Sequence, residues 1–295
     1  MRGGLLRRVR AGRRGMLAAG LVLALVGTAA ACTGSSKQPL TPEHCTAQTD
    51  AGAVDLDPEQ ARIASTILAV GIREAMPQRA VTIAYAAAYQ ESKLHNLDYG
   101  DRDSVGVFQQ RPSQGWGPRR RLKDPAYATA QFYAALAHVD GYQQMPIHKA
   151  AQAVQRSAYG PAYQQHEQKA RVLSDALTGR AGVSAFTCLL RPTAGSEVAD
   201  VRAAVAHDWG VRAVTRGAGR GFHVRLGDGA PARHTRAMAF WLVARADVLS
   251  LDHVRLRDRK WRSGNDSTGW EHTLGRVPPH RVHARFLPPP SPDQP

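Results

Sequence analysis

"RAVTIAYAAAYQESKLHNLDYGDRDSVGVFQQRPSQGWG", residues 79–117, joins two unlike halves. Residues 79–88 are mostly small and apolar, whereas 89–117 crowd acids, amides, glycines and aromatics together. The first half follows Pro77 and carries Ala80, Ile83, Ala84, Ala87 and Ala88 at helical spacing, which predicts a helix running to Glu91. Ala84, Ala87 and Ala88 lie on the Glu91 side of that helix. A carboxyl leaving such a low-volume apolar surface is partly desolvated. Desolvation raises its pKa and lets it hold a proton near neutral pH, as a general acid must. The competing reading is a helix-end carboxylate with a structural role only.

More helices flank this stretch. Asp57-Pro58-Glu59 reads as N-cap, first-turn proline and first-turn acid, and Ile63, Ile67 and Val70 follow at helical spacing. Asp124-Pro125 starts another helix, with Tyr127, Phe132 and Leu136 as apolar positions. Two more are expected over 146–157 and 162–178. No strand-rich region is expected before Cys188, apart from hairpins within 96–115. Residues 45–190 therefore read as a mainly α domain. "RPTAGS" (191–196) reads as a linker. Beyond it, "VRAVTRG", "GFHVRL", "DHVRLRDRKW" and "RVHARF" read as strands around an apolar helix over 235–250 that carries Trp241. Residues 195–288 are thus expected to be a small α+β domain, with 289–295 as a tail.

Residues 2–14 carry six arginines and no acid, and 16–31 are apolar. This is the pattern of an export signal over 1–31, too short for a membrane span of about 20 apolar residues. No other segment is long and apolar enough to span, which argues against a multi-pass transporter or channel. Residues 32–44 read as a polar tether. The small-residue run ending in Cys32 resembles a bacterial lipoprotein signal, with Cys32 as the lipidated residue, though Ala29 stands where leucine is usual. Signal-peptidase cleavage after an Ala-x-Ala site is the alternative, and Arg13-Arg14 leaves a twin-arginine route open. Export places the protein on the outer face of the cytoplasmic membrane or in the cell wall. Cys45 and Cys188 then remain as an even pair, expected to form a disulfide whose long loop is worth about 4–5 kcal/mol by the chain-entropy model. The net charge of +15 falls to +9 without the signal arginines. That favours anionic wall or lipid partners, while export argues against nucleic acid.

Three segments in order, Glu91-Ser92, Gly106-Val107-Phe108-Gln109 and Ser157-Ala158-Tyr159-Gly160-Pro161, resemble the signature of lysozyme-like lytic transglycosylases. "GDRDSVGVFQQRPSQGWG" is similar to a branch of actinobacterial exported proteins with such a domain. The resemblance covers residues 45–190. It implies helices around a cleft and cleavage of the β-1,4 bond between N-acetylmuramic acid and N-acetylglucosamine in peptidoglycan. By the same resemblance Glu91 is the catalytic acid/base, Ser92 orients it, and Gln109 and Tyr159 hold the sugar and the acid. Gln110 and Trp116 join them as substrate-binding candidates, with Tyr99 and Trp116 able to stack on sugar faces or to pack under the loop. Gly160-Pro161 departs from the family's Asn-Ala-Gly. Asp98, Asp101 and Asp103 leave hydrolysis by two carboxyls open, although Asp101 and Asp103 are expected to build the loop. No cofactor is implied.

Residues 195–287 resemble a C-terminal domain of other actinobacterial exported proteins, chiefly in "FWLVARADVLSLDHVRLRDRKWRS". Some of those carry a His…Asp…His-x-His zinc pattern. Here His223, Asp228, His280 and His283 are wrongly spaced and Arg281 stands at a ligand position, so no metal is expected and the domain reads as a non-catalytic module. The alternative for the whole chain is a non-catalytic wall- or partner-binding envelope protein with a lysozyme-like fold.

Overall fold

The computed structural model describes residues 41–155, 160–210, 214–227, 229–264 and 269–289. The expected export segment, Cys32 and Tyr159 lie outside these residues. Among the described residues no helix is long and apolar enough to cross a membrane. Leu40–Pro295 forms one compact unit.

Strands β1 (His44–Thr49) and β2 (Gly52–Leu56) form a hairpin, and β3 (Phe186–Leu189) pairs with β1 on its other side. Helix α1 (Pro58–Arg73) follows. Its capping box is complete: Gln60 N donates to the Asp57 carboxylate at 2.9 Å, and Asp57 N donates to Gln60 Oε1 at 3.0 Å. Helix α2 (Gln78–Ser92) is buried along almost its whole length, because its alanines let neighbours approach closely. After the single turn α3 (Arg119–Leu122) come α4 (Pro125–Ala137), capped by Asp124, then α5 (Ile147–Gln155) and α6 (Glu167–Leu177). A 3-10 turn over Gly160–His166 precedes α6. Helices α4, α5 and α6 all pack on α2.

The C-terminal region has helices α7 (Val198–Trp209) and α8 (Ala232–Val243). Its strands are β4 (Val214–Arg216), β5 (Gly221–Arg225), β6 (Leu251–Leu256), β7 (Arg259–Arg262), β8 (Trp270–His272) and β9 (Arg281–Phe286). They form one antiparallel sheet in the order β4-β5-β9-β6-β7-β8. Helix α8 packs on β6 and β9.

The expectation of a mainly α domain followed by a small α+β domain is overturned. Antiparallel sheets of three and six strands, with 44% helix against 18% strand, make this a mixed α+β protein. The three-stranded sheet inside the supposedly helical region escaped the sequence reading for a physical reason. Its inward positions Cys45 and Ala47 are small, so the in–out alternation with Thr46 and Gln48 carries little hydrophobic contrast. Its third strand also lies more than a hundred residues away in sequence. Register places Cys45 directly opposite Cys188, and the two form the disulfide. The hairpin expected within 96–115 is reduced to one isolated bridge, Val105 to Gln110.

Helix α1 packs against α2 and α4, and also against α7 and α8. A buried polar network crosses that junction. Asp208 Oδ2 accepts from Arg245 Nη2 at 2.7 Å, Trp241 Nε1 at 2.8 Å and Thr66 Oγ1 at 2.7 Å. Arg245 Nη1 donates to Ser65 Oγ at 2.6 Å. At the other end, Trp261 Nε1 donates to Cys188 O and Trp270 Nε1 to Phe186 O. Regions 45–190 and 195–288 therefore share one core.

Candidate active site

Glu91 is the penultimate residue of α2. The helix stops there because Lys93 and Leu94 both take left-handed backbone conformations and turn the chain back over the last carbonyls. The turned segment is tied to α1: Asn96 N donates to Glu59 Oε1 at 3.0 Å, and Gln60 Nε2 to Lys93 O at 2.8 Å. The N-cap region of one helix thus anchors the exit of the next.

The Glu91 carboxyl is half-buried. Tyr163 Oη donates to its Oε1 at 2.5 Å, and the Gln155 side chain also hydrogen-bonds to it. Burial pushes its pKa up; the Tyr163 and Gln155 hydrogen bonds pull it down without cancelling the rise. The partial negative charge at the C-terminus of α2 acts in the same direction as burial. Neither of these two donors is a cation.

Glu91 opens into a cavity of about 300 Å³ lined by Asp101, Ser104, Gln109, Arg111, Gln114, Trp116 and Gln155. Apart from Trp116 the lining is polar, so the desolvation of Glu91 comes from helix packing behind it rather than from an apolar pocket in front. A larger cavity of about 620 Å³, beside Asp50, Asp175 and Arg180, holds no buried ionisable side chain. We take the smaller one as the site because a desolvated acid, not volume, supplies chemistry.

The other candidates divide between this cavity and the scaffold around it. Gln109 lines the cavity with a positive φ of 47°, and its amide is folded back onto its own loop. Oε1 accepts from Ser104 Oγ at 3.0 Å, and Nε2 donates to Gly106 O at 3.1 Å. Gly100 makes room for it: a Cβ there would sit 1.8 Å from Gln109 Oε1. Trp116 lines the cavity and packs partly on the core. Ser92 is buried and its hydroxyl donates to Val107 O at 2.7 Å, so it pins the 105–110 loop to α2 rather than touching Glu91. Gln110 is 1% exposed and donates to Ala128 O, joining the loop to α4. Tyr99 is exposed.

Asp103 accepts from Arg111 Nε at 2.9 Å, Ser113 N at 2.8 Å and Ser113 Oγ at 2.9 Å, which holds its carboxyl well below the usual range and knits the loop. Asp98 is exposed and Lys123 Nζ stands 3.8 Å from it. Asp101 is exposed at the cavity rim.

Tyr163 and Gln155 escaped the sequence reading. "SAYGPAYQQ" holds two Ala-Tyr pairs: the resemblance points to Tyr159 in the first, which lies outside the described residues, and Tyr163 belongs to the second. The signal for the second is that Tyr163 falls on the turn leading into α6, which packs on α2. In the C-terminal region His223 and His283 sit side by side, their ring centroids 4.9 Å apart. His280 lines another cavity, and Asp228 lies outside the described residues. Among the described residues no three His, Cys, Asp or Glu side chains converge to hold a metal. No protein-family model matches this chain, and no curated protein sequence matches it.

Proposed function

We propose that this chain is an exported envelope protein that cleaves the glycan strands of peptidoglycan, with Glu91 as general acid and then general base. The observation that carries the reading is the Glu91 carboxyl itself: desolvated, pushed towards its protonated form, held by two neutral donors and facing a polar cavity. Such a group delivers a proton to the glycosidic oxygen as the bond from C1 breaks. The resulting carboxylate then takes the proton from the muramic 6-hydroxyl as its oxygen closes on C1, leaving a 1,6-anhydro end and a reprotonated Glu91. One carboxyl completes that cycle, because the substrate supplies the nucleophile. Amides and hydroxyls of the lining, with the Trp116 ring, suit a sugar's mixture of hydroxyl edges and apolar faces.

The test compares wild type with Glu91→Gln on purified peptidoglycan, reading soluble muropeptides by mass spectrometry. Release should fall by about 10²–10⁴-fold in the variant. Equal release by both proteins would overturn the reading. No release by either, with retained binding to wall fragments, would make the chain a glycan-binding module. Asp101 at the rim gives hydrolysis a second carboxyl; anhydro ends identify the transglycosylase, and reducing ends identify the hydrolase.

A further inference from the structure

The six-stranded sheet has two very different faces. One carries Phe222, Val224, Val254, Trp261, Val282 and Ala284, all buried, and packs on α8. The register of the strands defines the other. Across its middle run His223, His283, Arg255 and Lys260, paired in that order from β5 through β9 and β6 to β7. A second row sets Arg285, His253 and Arg262 side by side. A third places Arg225 directly opposite Arg281. The outward positions of the central strand β9 are therefore Arg281, His283 and Arg285, with both arginines exposed.

Such a face works against folding. Like charges directly opposite one another on neighbouring strands destabilise a sheet, and a solvated face ordinarily intersperses both signs. Among the described residues the acids nearby are few: Asp252 is taken up by His253 Nδ1 at 2.9 Å, and Glu271 lies at the far edge, paired with Lys260. Buried hydrogen-bonding atoms on the same face, Nδ1 of His223 and of His283 and Nε of Arg255, have no partner among the described residues. Beside the face lies Leu274, the most exposed large apolar side chain among the described residues, at 96%. Its loop is anchored to the face, because Arg255 Nη2 donates to Leu274 O at 3.0 Å and to Gly275 O at 3.1 Å.

We propose that this face is a docking surface for a membrane rich in anionic lipid headgroups. Lipid phosphates would accept from the arginines, and Leu274 would enter the headgroup boundary. The charge pattern favours a plane over a linear polymer: the cations spread across four strands, roughly 15 Å wide at the usual strand spacing, rather than following a groove. A basic patch beside an exposed apolar side chain is what binding to an anionic bilayer surface requires. The inference is independent of Glu91 and of any glycan chemistry.

The experiment uses the full chain with vesicles of equal parts phosphatidylglycerol and phosphatidylcholine, against phosphatidylcholine alone. The quantity read is the ratio of the two partition coefficients by flotation. The N-terminal arginines are common to every protein tested, so the change between variants reports the sheet. Arg281→Glu with Arg285→Glu should lower the ratio about tenfold or more, and raising the salt should erode the wild-type ratio. Arg281→Gln with Arg285→Gln relieves the like-charge contacts, so it folds if the wild type does, and should lower the ratio to a smaller degree. Leu274→Asp should weaken binding to both vesicle types. An unchanged ratio in the folded Gln variant overturns the proposal. So does tighter binding to duplex DNA than to anionic vesicles, lost in the same variant, which would assign the face to nucleic acid.

Discussion

Glu91 and Asp208 occupy the same place in two helices, each the penultimate residue, and their acidities move in opposite directions. Glu91 is pushed up by burial, with Tyr163 and Gln155 pulling it back. Asp208 is more deeply buried, yet its pKa is held down at about 2, because Arg245, His207, Trp241 and Thr66 more than offset its desolvation. Burial alone does not decide what a carboxylate becomes. A cation and a full set of donors make Asp208 a structural ion; neutral donors and an open cavity leave Glu91 able to exchange a proton.

The sharpest way to break that contrast is Asp208→Asn. Removing the charge leaves Arg245 buried without its partner and should cost about 3–5 kcal/mol by denaturant unfolding. A loss no larger than that of Glu91→Gln would mean that pairing is not what separates the two sites. Next is Ser92→Ala, which leaves Val107 O without its donor beneath the cavity loop. It should cost about 1–3 kcal/mol and lower glycan cleavage with it, as read by melting and by muropeptide release. Tyr163→Phe removes a hydrogen bond that favours the ionised carboxyl. It should move the alkaline limb of the pH–rate profile to higher pH and slow cleavage about tenfold. An unmoved limb would show that Tyr163 does not touch the acid in solution.

The smallest effect is a difference in pH dependence. Asp208 has a lowered folded pKa, so its contribution is present above 3.8 and lost as pH falls through about 2. Glu91 has a raised one, so the wild type is favoured over Glu91→Gln below 4.5 and loses that advantage as pH rises through the folded value. Melting of both variants against pH should therefore diverge from wild type at opposite ends of the acid range, with Glu91→Gln staying within about 1 kcal/mol throughout.

Much of the helical frame was legible because its signals are local. Asp57 and Asp124 mark helix starts through side chain–backbone bonds a few residues long, and Pro58 through its fixed φ. The alanine spacing before Glu91 marks a close-packed helix whose end carries the acid. Cys45 and Cys188 could be paired by counting. The small sheet was not legible, since Ala47 and Thr46 differ too little to betray which side faces in, and β3 contributes from far along the chain. The partners of Glu91 were hidden for the same reason. That Tyr163 reaches it depends on a turn seated against α2.

By itself, the sequence determined where the helices after Asp57, Pro77 and Asp124 begin, that an acid closes the alanine-rich one, and that the C-terminal strands carry basic side chains; it gave no sign of α7. These follow from spacing, capping and composition, which act within a few residues. Only the tertiary structure decided that Tyr163 and Gln155 hold Glu91, that Asp208 is neutralised by Arg245 from the turn after α8, and that the arginines of four strands collect on one face. Those outcomes depend on desolvation and charge proximity between residues distant in sequence, quantities that exist only once the chain has folded.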